Sequence, residues 1–177
     1  MGPPGSGKGT QAKKIATRYG YTHISTGDLL RTLQKSQMIV PDEQQALEEM
    51  KAGRLVPDWL IYRLAFRAIE TSLAGGKGVV LDGAIRNVPQ AEAYDRFFVE
   101  KHLADEVFVL EIDRETLERR LAARPPTAWG GTAEEGETFA RRQHATREGL
   151  PASATMIDAT APIASVVETI LAHVHQV

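Results

Sequence analysis

The stretch Gly2-Pro3-Pro4-Gly5-Ser6-Gly7-Lys8-Gly9-Thr10 decides the fold. Glycines at 2 and 7 followed by Lys8 fit the pattern G-x-x-x-x-G-K, in which a backbone poor in side chains wraps its N–H groups around an anion at a helix N-terminus. Such a loop needs glycine for positive φ and for close approach of backbone to ligand, while Lys8 adds a point charge that can follow the β- and γ-phosphates. An ordinary Gly-Pro turn would account for the glycines alone. The helix-compatible segment from Thr10 to Tyr19, with Ala12, Ile15 and Ala16 as its apolar positions and Gly20 as its stop, supplies the context that the phosphate loop demands.

Outward from the loop, strands alternate with helices. Tyr21 to Ser25 reads as a short strand, in which His23 is expected to be an ordinary strand residue with a satisfied ring. Ser25-x-x-Asp28 has the form of a helix cap opening a segment through Ser36, and Pro41-Asp42 opens another that stops at Gly53. Asp58 begins a longer helix, with Leu60, Leu64 and Ala68 and then Ile61, Ala65 and Ile69 at i, i+4 spacing, closed by Gly75-Gly76. Gly78-Val79-Val80-Leu81-Asp82 is an apolar run ending in a carboxylate, the form of a buried parallel strand that delivers an acid to the C-terminal edge of a sheet.

Farther along, a helix is predicted from Pro89 to His102, a strand from Val107 to Ile112, and a helix begun by Asp113 and halted by Pro125-Pro126. The stretch from Pro125 to Gly136 is rich in Gly and Pro and reads as a loop, followed by an Arg-bearing helix near Glu137 to Glu148, a last strand at Thr155 to Ile157 and a terminal helix after Pro162. In that last helix Ile163, Val166, Val167, Ile170, Leu171 and Val174 share one face. The pattern predicts an α/β chain with a doubly wound parallel sheet and helices on both faces, without internal repeats.

Composition narrows the function. A chain of 177 residues is most simply one domain, long enough to bury about two thirds of its unfolded surface without staples. The absence of cysteine leaves neither a disulfide framework nor a thiolate metal site, which fits a reducing cytoplasm. A net charge of −2 gives nucleic acid no electrostatic support, and no apolar run approaches a membrane span. No charged-then-apolar leader precedes the loop, so a soluble cytoplasmic protein is expected.

One detail departs from the general loop pattern: Gly9 follows Lys8 where most such loops carry Ser or Thr, and the hydroxyl comes one step later at Thr10. This GKGT variant, Thr26-Gly-Asp-Leu-Leu-Arg31, and Asp82-Gly83-x-x-Arg86 with Gln90 together closely resemble the adenylate kinases, a family of nucleoside monophosphate kinases, in order along nearly the whole chain. The resemblance implies a single kinase domain over residues 1–177, with a helical monophosphate-binding insert at 26–56 and a short lid at 125–136. It implies reversible phosphoryl transfer from MgATP to AMP by a cytoplasmic monomer, with no nucleic acid, membrane or zinc involved. Gly5, Ser6, Gly7, Lys8, Gly9 and Thr10 would then hold the donor, embraced by Arg120 and Arg124, one helical turn apart. Thr26 and Gln90 would meet the base, and Arg54, Leu55, Val56 and Gly83 would line its pocket. Arg31, Arg86 and the lid-helix Arg142 would clamp the acceptor phosphate by bidentate guanidinium contacts. Asp82 would hold Mg²⁺ through water, with Thr10 within reach of phosphate or metal and Asp28 as an assistant. Lys8, Arg86, Arg120, Arg124 and Arg142 are thus the expected catalytic set, because phosphoryl transfer requires positioning and charge neutralisation more than covalent chemistry. Taken alone, each arginine reads as a solvated helix residue, and Asp82 as a cap after a strand. Their ordered spacing relative to two motifs gives them roles.

Three departures bear on efficiency. Gly130-Gly131-Thr132-Ala133-Glu134 replaces the Gly-Arg-x-Asp-Asp of short-lid relatives, Asp82-Gly83-Ala84-Ile85-Arg86 replaces Asp-Gly-Phe-Pro-Arg, and the segment between Arg142 and Ile157 is short. In addition only Met1 precedes Gly2, whereas in the family a central strand feeds the loop; a shortened form or misplaced start codon is the favoured expectation over a working four-stranded sheet. These features keep open a catalytically weak nucleotide-binding relative, acting as sensor or scaffold, and a kinase for another nucleoside monophosphate. A small-molecule kinase of another P-loop branch is disfavoured by the GKGT loop, and a GTPase by the lack of an Asn-Lys-x-Asp motif.

Overall fold

The computed structural model describes residues 1–52, 54–123 and 153–174. The chain forms two compact units, Ala16–Ala84 and the combination of Met1–Ile15 with Ile85–Val177. Helix α1 (Lys8–Tyr19) contributes residues to each. Among the described residues there are seven helices and four strands, and every strand pairing is parallel, as the alternating pattern predicts.

In the unit Ala16–Ala84, β1 (Thr22–Ser25) is followed by α2 (Thr26–Lys35), α3 (Pro41–Lys51), α4 (Asp58–Ala74) and β2 (Val79–Asp82). β1 and β2 run parallel, with Thr22 opposite Val79 and Ser25 opposite Asp82. The helices close over a core of Leu30, Leu33, Ala46, Leu47, Leu60 and Ile61, with Ile39, Met50, Val56 and Leu64 packed at its margin. Of the predicted stripe on α4, Leu60, Ile61, Ala65 and Ile69 are buried, Leu60 and Ile69 wholly inaccessible, while Leu64 and Ala68 are half-buried. β2 is half-buried rather than fully buried, because β1 is its one strand partner among the described residues. The caps also differ from expectation. Ser25 stands at the N-cap of α2 but its side chain makes no capping bond; its extended backbone is the last rung of β1, and the Asp28 carboxylate turns to Arg31 instead. At α3 the reciprocal bond does form, with Val40 N donating to Glu43 Oε2 at 3.2 Å.

In the other unit, α5 (Val88–Glu100), β3 (Phe108–Glu111), α6 (Arg114–Ala122), β4 (Thr155–Asp158) and α7 (Ile163–His173) follow in order. Asn87 caps α5 by accepting from Gln90 N, and Asp113 caps α6 by accepting from Thr116 N at 2.7 Å, which holds the Asp113 carboxyl below its usual range. α5 ends two residues before the predicted stop because His102 takes a left-handed conformation, φ 53°, the role glycine more often fills after a helix. β3 and β4 pair in parallel with Leu110 opposite Ile157. Along its other side β3 meets Met1, whose amino group donates to Phe108 O and whose carbonyl accepts from Leu110 N at 2.8 Å. Among the described residues the hydrogen-bonded ladders are β1–β2 and β3–β4, both parallel. On α7 Val166, Val167 and Ile170 are buried, while Ile163 at its start is half exposed.

Glu43 is 7% exposed and paired with the Arg63 guanidinium, which in turn lies over the Trp59 ring, 5.2 Å from its centroid. Burial alone would push the Glu43 carboxyl up. The hydrogen bonds from Arg63 and Val40 N and the charges of Arg63 and Arg67 outweigh it, so the group titrates below its ordinary value. A carboxyl depressed in the folded state adds stability above its unfolded pKa, and that contribution is lost as pH falls through the folded pKa. Glu43→Gln should therefore cost about 1–2 kcal/mol at neutral pH, given the half-exposed Arg63 partner, and the gap from the parent should close as the pH is lowered below the carboxylate range in denaturant titrations.

Candidate nucleotide-binding site

The loop before α1 is built as the sequence pattern requires. Gly2, Gly5 and Gly7 all have positive φ, at 138°, 90° and 94°. At two of them space is also lacking. A Cβ on Gly2 would come within 2.7 Å of Leu110 O, and one on Gly5 within 2.7 Å of Leu117 Cδ1. β3 and α6 thus pin the loop from outside, and Gly7 is required by conformation alone. Ser6 N donates to Pro3 O at 3.1 Å to fold the loop, and Gln11 N donates to Gly7 O at 3.0 Å as α1 begins. Lys8 arches back over this frame, its Nζ donating to Gly2 O at 2.6 Å and Pro3 O at 2.9 Å. Two polar atoms are buried here with no protein partner among the described residues, Ser6 Oγ and Gln11 Oε1, although Gln11 Nε2 is anchored on Ile163 O at 3.3 Å. A buried hydroxyl with no partner costs about 1–3 kcal/mol.

α6 carries Leu117 against Gly5 and, one turn on, the half-buried Arg120. Arg119 is exposed and donates to Thr116 Oγ1 at 3.4 Å. Arg124, the lid stretch 125–136, Gly131 and Arg142 lie outside the described residues.

Arg86 and Gln90 come together in the turn before α5. Gln90 is 5% exposed, and its Oε1 accepts from Arg86 N at 2.7 Å while its own N–H donates to Asn87 Oδ1 at 2.8 Å. The carbonyl end of Gln90, which the resemblance assigns to the base, is thus also a brace for the backbone of an exposed arginine. This brace stands where the family's proline would have stiffened the turn. Sequence reasoning missed Asn87, although an Asn directly before Val88-Pro89 is a legible helix start.

In the unit Ala16–Ala84, Thr26 is 3% exposed and donates from Oγ1 to Gly83 O at 3.1 Å, joining the start of α2 to the turn after β2, where Gly83 has φ 72°. Asp82 ends β2 half-buried, opposite Ser25, with His23 Nε2 3.7 Å from its Oδ2. That distance is too long for a hydrogen bond, so His23 Nε2 has no partner among the described residues, where the sequence led us to expect a satisfied ring. Arg31 Nη2 lies 2.5 Å from Asp28 Oδ1. Arg54 N donates to Glu49 O at 3.0 Å, and its guanidinium stands 3.8 Å from Glu49 Oε1. Leu55 is 79% exposed, whereas its neighbour Val56 packs on the α2–α3–α4 core. Among the described residues no three His, Asp or Glu side chains converge on a point that could hold a metal ion, and no helix is long and apolar enough to cross a membrane.

The family model described as adenylate kinase matches residues 1–173. An adenylate kinase of Carboxydothermus hydrogenoformans is 45% identical over 125 residues, covering 70% of this chain and 57% of its own length, so the chain spans little more than half of that relative. An adenylate kinase of Rhizobium meliloti is 41% identical over 154 residues, covering 84% of this chain and 79% of its own. One of Synechococcus sp. (strain WH7803) is 40% identical, covering 81% and 73%. A match of this extent, over a loop whose Gly2, Gly5 and Gly7 all take positive φ, places the chain in the adenylate kinase family.

Proposed function

We propose that the chain catalyses reversible transfer of the γ-phosphoryl group of MgATP to AMP, giving two ADP. The observation that carries this reading is the loop Gly2–Thr10, with its positive-φ glycines, its buried Ser6 hydroxyl and Lys8 laid across it. A hollow of backbone N–H groups at a helix N-terminus, with an ammonium at its rim, suits the β- and γ-phosphates of a nucleoside triphosphate. In this reading Gly5, Ser6, Gly7, Lys8, Gly9 and Thr10 bind the donor, and Arg120 and Arg124 neutralise charge along it. Arg31, Arg86 and Arg142 hold the acceptor phosphate. Thr26 and Gln90 meet the adenine, with Arg54, Leu55, Val56 and Gly83 lining its pocket, and the segments 26–56 and 125–136 close over the substrates.

Magnesium fits the residues present. Asp82 offers a hard carboxylate oxygen at the end of a strand and is only half-buried, so a cation held there keeps water in its shell, with the Thr10 hydroxyl as the second candidate donor. When bound, the ion offsets charge on the transferring phosphoryl group. What the chain itself supplies is alignment. Donor and acceptor oxygens must lie in line, and exposed guanidiniums such as Arg31 and Arg86 become effective once water is excluded around them. The enzyme is read as a cytoplasmic monomer acting on ATP and AMP without nucleic acid, and the lack of cysteine removes the usual thiolate ligands of a zinc site.

A coupled assay should show ADP formation that requires both ATP and AMP. Lys8→Ala and Arg86→Ala should each lower kcat/KM by about 10²–10³-fold, the scale on which single phosphate-binding charges act. If both variants match the parent, the assignment fails. Gly5→Ala, which drives a methyl group against Leu117 and strains a φ of 90°, should weaken ATP binding by calorimetry while leaving AMP binding within about twofold of the parent. Chelation of magnesium should abolish turnover and spare AMP binding, and Asp82→Asn should raise the magnesium concentration needed for half-maximal rate by about tenfold.

A further inference from the structure

Arg31 is held in a way that its proposed task alone does not require. Its guanidinium is fixed on two sides. Along one edge Nη2 meets Asp28 Oδ1 at 2.5 Å. Beneath it lies Gly27, where a Cβ would come within 3.2 Å of Nη1, 3.4 Å of Nη2 and 3.6 Å of Cζ. The group therefore rests on bare backbone in the first turn of α2, at a spot where an added methyl group would make it shift by a few tenths of an ångström. Both side chains are more than half exposed, 63% for Arg31 and 55% for Asp28. Exposed pairs of this kind contribute little to stability, so the arrangement has to be explained by what it does to the arginine. An arginine side chain is long and rich in rotamers, and its fork is useful for a phosphate only when it is aimed.

We propose that Gly27 and Asp28 form a positioning device that holds the Arg31 guanidinium in a fixed orientation for the phosphate of the acceptor nucleotide. The inference rests on the reading of Arg31 as an acceptor clamp. It assigns Asp28 to the monophosphate side of the reaction and not to the metal, because its carboxylate already serves a cation within its own helix. The residue acts through Arg31 and is not itself catalytic. Gly27 matters for the surface it leaves bare, since its own conformation lies outside the left-handed region.

Calorimetric titration with AMP alone, and separately with MgATP, tests this without turnover. Asp28→Asn should weaken AMP binding about fivefold to tenfold, the range expected for freeing one ordered side chain, and leave MgATP binding unchanged. Asp28→Glu should recover part of the loss. Gly27→Ala should weaken AMP binding to a similar degree with the carboxylate intact, and it decides the matter if Asp28→Asn proves poorly folded by circular dichroism. In an Arg31→Ala background, Asp28→Asn should have no further effect. If Arg31→Ala weakens AMP binding but neither Asp28→Asn nor Gly27→Ala does, the positioning device is refuted and the clamp stands. If Arg31→Ala leaves AMP binding unchanged, the clamp itself is refuted. A loss in Asp28→Asn that appears in MgATP binding, or that persists without Arg31, overturns the proposal by placing Asp28 elsewhere.

Discussion

The close approach of the loop backbone to β3 and α6 is the constraint on which the nucleotide site depends. Gly2 sits against Leu110 O and Gly5 against Leu117, each at a distance that excludes a methyl group. The loop's outer side is filled by a strand on one hand and a helix on the other. Leu110, the strand residue that meets Gly2, is also bonded to Met1, so the loop's entry and its outer wall are one structural piece. The same packing sets the start of α1 at Lys8 and therefore the direction in which the lysine leaves the helix.

Around Thr26, Arg86 and Gln90 the organising device is different. It consists of side chains that hold other functional groups in place. Thr26 ties α2 to Gly83, Gln90 ties α5 to Arg86, and Asn87 ties the start of α5 to Gln90. Each bond joins a residue assigned by motif to a turn that would otherwise be loose. In the turn Asp82 to Arg86, where the family's Phe-Pro pair is replaced by Ala84-Ile85, the Arg86 N–H donates to Gln90 Oε1, a bond that does not depend on the residue at 85.

Much of this was legible in the sequence. The loop, the stripe on α4 and the order of helices and strands follow from glycine placement, i, i+4 spacing and apolar runs, all of them local signals. The burial of β2 was overstated, because an apolar run does not say how many strands will flank it. The Ser25 cap failed for a related reason: a Ser before a helix can also be the last rung of a strand, and the ladder with Asp82 held its backbone. Asp28 and Gln90 show the limit at the site itself. Motifs name a residue's presence but not which neighbour claims its oxygen, and that choice depends on geometry between positions three or four residues apart.

The posture of Lys8 has a kinetic side. Its ammonium is already solvated by the carbonyls of Gly2 and Pro3, so an arriving triphosphate exchanges one set of oxygens for another and does not meet a bare charge. In the proposed reaction the ammonium would thus pass from carbonyl oxygens to phosphate oxygens and back as nucleotide binds and leaves.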